Sequence, residues 1–172
     1  MNWVLESPRL RFRRIEQADF SSLCEFLQDE EVMYAWEHGF SLDEVQDWID
    51  RTFARYEKDG FGHYAAIEKE SSALIGVIGP LIEVIDEVPY TGIGYIINKR
   101  YWGKGYATEG AAACMQYAFS ALHADKVIAE IRPENLRSRR VAERLGMAVE
   151  GECIKHYYGK EMPHLIYSKC SH

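Results

Sequence analysis

At 172 residues, with 47% hydrophobic and 13% aromatic content, the chain has the material for one compact domain and is too apolar for a disordered segment. Twenty basic against 27 acidic residues leave a net charge of −7, which argues against a general nucleic-acid or anionic-membrane surface and favours cationic partners such as amines. No apolar run approaches the ~20 residues of a membrane span. Met1 to Pro8 lacks the basic segment and apolar run of a signal peptide. Cys24, Cys114, Cys153 and Cys170 are scattered, without a C-x-x-C pair, so the expectation is a reducing cytoplasm. His38, His63, His123, His156, His164 and His172 show no metal-ligand spacing, and no metal is expected.

In chain order, Arg9 to Arg13 alternates polar with apolar residues and predicts a half-buried strand. Phe20, Leu23, Cys24, Phe26 and Leu27 recur at helical spacing. A second helix opens on the capping box of Ser41 and Glu44, carries the stripe Val45, Trp48, Ile49, Phe53 and Tyr56, and stops at Gly60. Three strands follow at Gly62–Ile67, Leu74–Ile85 and Thr91–Asn98, with Asp86 to Pro89 interrupting the last two. A helix runs from beyond Gly103 to about Leu122, with Ala107, Ala111, Cys114, Tyr117, Ala118 and Ala121 facing inward. Then come a short strand, Val127–Ile131, a compact helix, Arg137–Leu145, ended by Gly146, and two last strands, Ala148–Ile154 and Leu165–Cys170. This order predicts a mixed α/β fold, a single domain over residues 1–172, with helices on both faces of a mixed sheet.

The strongest local signal is Arg100-x-x-Gly103-x-Gly105, after a strand and opening a helix. Unpaired amides and the positive end of the helix dipole suit a phosphate there, and glycines let the backbone approach it. Lys104 adds charge, and Arg100 is a second candidate. The turn is neither a Walker loop nor a dinucleotide fingerprint, and from these residues alone a plain connector remains open. A second signal is Pro133-Glu134-Asn135 with Ser138. Asn135 ends a strand and precedes a helix, where capping is its ordinary role. Arg137, Arg139, Arg140 and Arg144 make that helix basic, either as a solvated face or as a cradle for phosphates.

Together these motifs, with Ser7-Pro8-Arg9-Leu10-Arg11, Leu74-Ile75-Gly76-Val77, Ile93-Gly94-Tyr95, Arg100 to Glu109, Leu145-Gly146-Met147 and Glu150-Gly151, carry a resemblance. The chain resembles the GCN5-related N-acetyltransferase (GNAT) superfamily nearly end to end, most closely the RimJ/RimL-like branch that acetylates ribosomal-protein N-termini. The resemblance implies a mostly antiparallel sheet splayed between its fourth and fifth strands, Thr91–Asn98 and Val127–Ile131. Acetyl-coenzyme A would lie in that gap. Backbone groups of Ile96 and Ile97 would face the thioester, amides of Trp102, Gly103, Lys104, Gly105, Tyr106 and Ala107 would hold the pyrophosphate, and Asn135 the pantetheine arm. A primary amine, from a protein N-terminus or a small molecule, would attack the thioester directly, in a monomer or a homodimer.

Where many relatives place a tyrosine acid stands Ala142, which leaves Ser138 as donor or relay to the departing sulfur. The acidic residue usual before Ile-Gly-Tyr is Gly92. His156 and Glu83 are the candidates for the amine's proton. The missing strand carboxylate favours an α-amine, with a pKa near 7.7–8.0, over a lysine side chain near 10.4. A non-catalytic acyl-coenzyme A-binding module is the competing reading. The acceptor wall is expected from Met33–Phe40, Glu83–Tyr90 and Cys153–His164, with Trp36, Tyr90, Tyr157 and Tyr158 as lining candidates.

Overall fold

The computed structural model describes residues 2–157 and 159–172. Eight strands form one sheet in the order β1-β2-β3-β4-β5-β6-β8-β7. They are β1 (Trp3–Glu6), β2 (Leu10–Arg14), β3 (Tyr64–Glu68), β4 (Leu74–Ile85), β5 (Val88–Ile97), β6 (Lys126–Ile131), β7 (Ala148–Tyr157) and β8 (Lys160–Cys170). Four α-helices accompany them: α1 (Phe20–Leu27), α2 (Leu42–Asp59), α3 (Tyr106–Ser120) and α4 (Leu136–Arg144). All neighbouring strands are antiparallel except β5 and β6, which the α3 crossover joins in parallel. The mixed α/β, mostly antiparallel sheet expected from the sequence is what the chain forms.

Local chemistry explains the elements. Ser41 accepts the Glu44 amide at 3.2 Å while Glu44 accepts the Ser41 amide at 3.1 Å, so α2 starts on the anticipated capping box. Gly60, at φ +82°, ends it. The buried face of α3 carries Tyr106, Gly110, Ala111, Cys114, Met115 and Ala118 and packs on β4 and β5. Tyr64, Phe12 and Tyr167 are among the largest fully buried side chains.

Three features differ from the sequence reading. Trp3–Glu6 is an edge strand paired with β2, although its Trp-Val-Leu-Glu run shows no clean alternation. Asp86 and Glu87 do not break two strands apart. They are the two corner residues of a hairpin, both in the left-handed region at φ +50° and +67°. The last two strands extend to Tyr157 and Lys160 as one long hairpin, so most of the segment read as a variable connection is ladder.

Proline placement follows one rule in these long strands. Pro80 lies beyond the stretch of β4 that β3 flanks, Pro89 before the stretch of β5 that β6 flanks, and Pro163 outside the part of β8 that β6 flanks. Each proline therefore sits where its strand has one neighbour, and a missing N–H costs no ladder bond on the open side.

Candidate active site

Strand β5 is paired with β4 along its whole length, from Gly76↔Ile97 to Ile85↔Val88. With β6 it pairs only at Thr91↔Val127 and Gly92↔Ile128. Beyond Gly92 the two parallel strands part, so residues 93–97 keep β4 on one side and face a gap on the other. This is the anticipated splay. It opens into a cavity of about 940 Å³, at the upper end of the usual range for small-molecule sites. Ile96, Ile97, Trp102, Gly103, Gly105, Tyr106, Ala107, Asn135 and Ser138 all line it.

The glycine turn closes one end. Gly103 and Gly105 have φ of +77° and +83°, and Gly105 is the N-cap of α3. A Cβ on Gly103 would meet nothing within 4 Å, so glycine stands there for its backbone conformation and not for room. Long-range contacts fix the turn. Trp102 Nε1 donates to the Ile97 carbonyl at 2.9 Å, and Arg9 Nη2 donates to the Lys104 carbonyl at 2.9 Å. Glu109, in the first turn of α3, accepts from Ser7 Oγ at 2.6 Å, the Arg9 amide at 2.8 Å and Arg9 Nε at 2.7 Å. Burial alone would push the Glu109 carboxyl up, but those three donors hold it below the ordinary range. Ser7-Pro8-Arg9 and Gly105-to-Glu109 are thus one unit. The Lys104 side chain is exposed outside the cavity, its ammonium 5.5 Å from the Tyr101 ring centroid. Arg100 lines a separate site with Asp19 and Glu25 and is absent from the cavity wall.

Helix α4 forms the opposite wall. The Asn135 side chain accepts the Ser138 amide at 3.3 Å, the capping role that its position suggested. Tyr95, on β5, donates its hydroxyl to the Ser138 carbonyl at 3.0 Å and ties the two sides of the fork together. The arginines of α4 divide by helical phase. Arg137, Arg140 and Arg144 line the cavity, and the Arg137 guanidinium lies 3.7 Å from the Trp102 ring centroid. Arg139 turns away to the Tyr167 hydroxyl and the Pro133 carbonyl. Open helix amides, three arginines and a strand-wide gap with unpaired backbone fit an elongated anionic ligand with an amide-bearing arm, which is the chemistry of a coenzyme A thioester.

Where the fork closes, charges gather. Glu83 (β4), Glu130 (β6) and Lys155 (β7) all line the cavity. Lys155 Nζ stands 3.4 Å from Glu130 Oε1 and 3.9 Å from Glu83 Oε2. Glu130 is 5% exposed at its side chain, and its Oε1 accepts no hydrogen bond. Burial first, then the Glu130 carboxylate, raises Glu83 above the ordinary range, while Lys155 pulls the other way. His63 and His164 also line this part; burial pushes His63 down to about 3, so its imidazole is neutral. The sequence reading passed over Glu130 and Lys155. Their signal was a charge inside an apolar strand, as in Val127-Ile128-Ala129-Glu130-Ile131.

His156 requires a correction. Alternation along β7 points Cys153, Lys155 and Tyr157 one way and leaves Glu152, Ile154 and His156 exposed, and His156 is absent from the cavity wall. Of the other lining candidates, Trp36 and Tyr157 reach the cavity and Tyr90 does not; Tyr158 lies outside the described residues. Among the described residues no group of three His, Cys, Asp or Glu side chains could hold a metal ion, and no helix is long and apolar enough to cross a membrane. The four cysteines are free.

Comparison with known proteins agrees with this geometry. Residues 9–148 match the acetyltransferase (GNAT) domain family. The chain is 31% identical over 144 residues to the uncharacterized protein YkkB of Bacillus subtilis, covering 83% of this chain and 84% of that one. It is 30% identical over 154 residues to the uncharacterized N-acetyltransferase YnaD of the same organism, covering 87% of each. The crystal structure of a GNAT-family acetyltransferase from Bacillus anthracis superposes with a TM-score of 0.82 at 26% identity, covering 98% of both chains. The chain is an acyltransferase and belongs to the GNAT N-acetyltransferase family.

Proposed function

We propose that this enzyme moves an acetyl group from acetyl-coenzyme A to a primary amine by direct attack. The observation that carries the proposal is the fork, with an unpaired β5 edge that runs from the Glu83 cluster at its closed end to the open amides of α3. The pantetheine arm would use the backbone groups of residues 93–96 that face the gap, and the phosphates would take the α3 amides with Arg137, Arg140 and Arg144. A β5 amide beside the thioester would stabilise charge on its oxygen. Ser138, on the cavity wall, would donate to the departing sulfur. Its hydroxyl is a weaker acid than a thiol of pKa about 8.5, which suits a donor or relay.

The acceptor is a primary amine that is cationic in water. The preference for an α-amine rested on a missing carboxylate, and Glu83 and Glu130 in the cavity remove that reason. A ribosomal-protein N-terminus, the acceptor of the branch that the sequence resembles, and a small amine both fit an open cavity of this size. The test is thiol release from acetyl-coenzyme A against a panel containing a peptide with a free α-amine, the same peptide with only a lysine amine free, and a linear diamine. Amine-dependent release supports the reading. Tight acetyl-coenzyme A binding without release on any amine would instead indicate a binding module.

A further inference from the structure

Gly92 pairs with Ile128 at the last rung before the fork opens. A Cβ built on Gly92 would stand 2.8 Å from Glu83 Cγ. Glu83, one strand over on β4, therefore occupies the space that any side chain at position 92 would need. Its carboxylate is delivered to the closed end of the fork from the neighbouring strand. Glu130 follows Ile128 by two residues on β6, on the same side of that strand, and ends in a buried oxygen, Oε1, whose neighbouring cation is the Lys155 ammonium at 3.4 Å. Lys155 stands between the two carboxylates from β7.

Three side chains from three strands converge here, two carboxyl groups around one ammonium. An incoming ammonium would supply donors.

We propose that the Glu83 carboxylate takes the proton from the acceptor ammonium, with Glu130 and Lys155 as positioning residues that hold Glu83 at the closed end of the fork. The inference rests on the acetyltransfer reading above. The ammonium gives one proton to Glu83; the neutral nitrogen forms the new C–N bond as the C–S bond breaks. The sulfur leaves with the second proton that the nitrogen sheds, and Glu83 returns its proton to solvent. Each turnover thus yields an amide, a thiol and one proton.

The groups around Glu83 set the pH at which it accepts. Arg55 from α2 and Lys155 from β7 favour the carboxylate, while Glu130 from β6 disfavours it. His63 and His164, from beside β3 and from β8, line the same space, and Cys153 donates to Glu130 Oε2 at 3.3 Å. Removing Lys155 and removing Glu130 should therefore act in opposite directions, which a purely structural role would not produce.

The experiment is kcat/KM for thiol release with one accepted amine, from acid to alkaline pH, beside acetyl-coenzyme A affinity. E83Q should lose about 10²–10⁴-fold in kcat/KM while its acetyl-coenzyme A Kd stays within about twofold. G92A, whose methyl presses on Glu83 Cγ, should lose activity in the same direction. K155M should move the acid limb to higher pH, and E130Q should move it to lower pH. Those two shifts carry the test if E83Q does not fold. Wild-type kcat/KM in folded E83Q, or acid limbs that coincide in K155M and E130Q, would overturn the assignment while leaving the acetyltransfer reading intact. Absence of release by the wild type on every amine overturns both.

Discussion

The two ends of the fork are built from different material. The cofactor end is built mainly on backbone, with three α4 arginines beside it: a turn with two left-handed glycines, the first amides of α3, and a strand edge that faces the gap. The acceptor end is made of side chains from β4, β6 and the β7–β8 hairpin, three stretches far apart in sequence. Backbone sites depend on consecutive residues and are therefore written as a local motif. Side-chain sites depend on which strands the topology brings together, and a motif cannot encode that. The cofactor end should accordingly fail through conformation and bulk, and the acceptor end through charge.

The largest effect that would sharpen this contrast is expected from Gly105→Asp. At φ +83° a side chain is strained, and this one adds negative charge where phosphates approach. Acetyl-coenzyme A affinity should fall by more than about 100-fold, or roughly 2.8 kcal/mol, in calorimetric titration of a variant that retains its circular dichroism. Unchanged affinity would remove the phosphates from this turn.

Ser138→Ala comes next. Turnover should fall by about tenfold or more while acetyl-coenzyme A affinity changes little, because a donor to the leaving sulfur acts in the transition state. Equal losses in both would reduce Ser138 to a cofactor contact.

Arg137→Ala should be milder. It removes an exposed guanidinium and its stacking on Trp102, so Kd for acetyl-coenzyme A should rise by about three- to tenfold with kcat unchanged. A larger loss in kcat than in affinity would break the division between the two ends.

The smallest effect is on stability. Burial lowers the His63 pKa from 6.5 to about 3, so between those values the unfolded chain binds a proton that the folded chain refuses. The neutral-ring contribution is full above pH 6.5 and is lost as the pH falls toward 3. A thermal melt series should show this acid slope in the wild type and a flatter one in H63Q. Parallel curves would place the His63 ring in water.

The same contrast explains what the sequence revealed. The capping box at Ser41, the stop at Gly60, the long apolar strands and the glycine turn each depend on residues within one turn of helix or one hairpin, and each was readable. The splay needed the resemblance, because nothing within residues 91–98 says where β6 departs. His156 and Lys155 adjoin in sequence, and the choice between them depends on the phase of a hairpin whose register Gly159, at φ +76°, helps to set. Glu130 sat in plain view as a charge inside a buried strand, yet its partner Glu83 is 47 positions away and only the sheet order brings them together. The link from Ser7 and Arg9 to Glu109 was likewise invisible as chemistry, although both stretches took part in the resemblance.

The fork is where a thioester would meet an amine. Its most direct measurement is thiol release by the wild-type chain at saturating acetyl-coenzyme A, across the amine panel and with a no-amine control. Release should saturate with at least one primary amine and give a product heavier than that amine by one acetyl group in place of a hydrogen. Saturable acetyl-coenzyme A binding with release no faster than the control on every amine would contradict it.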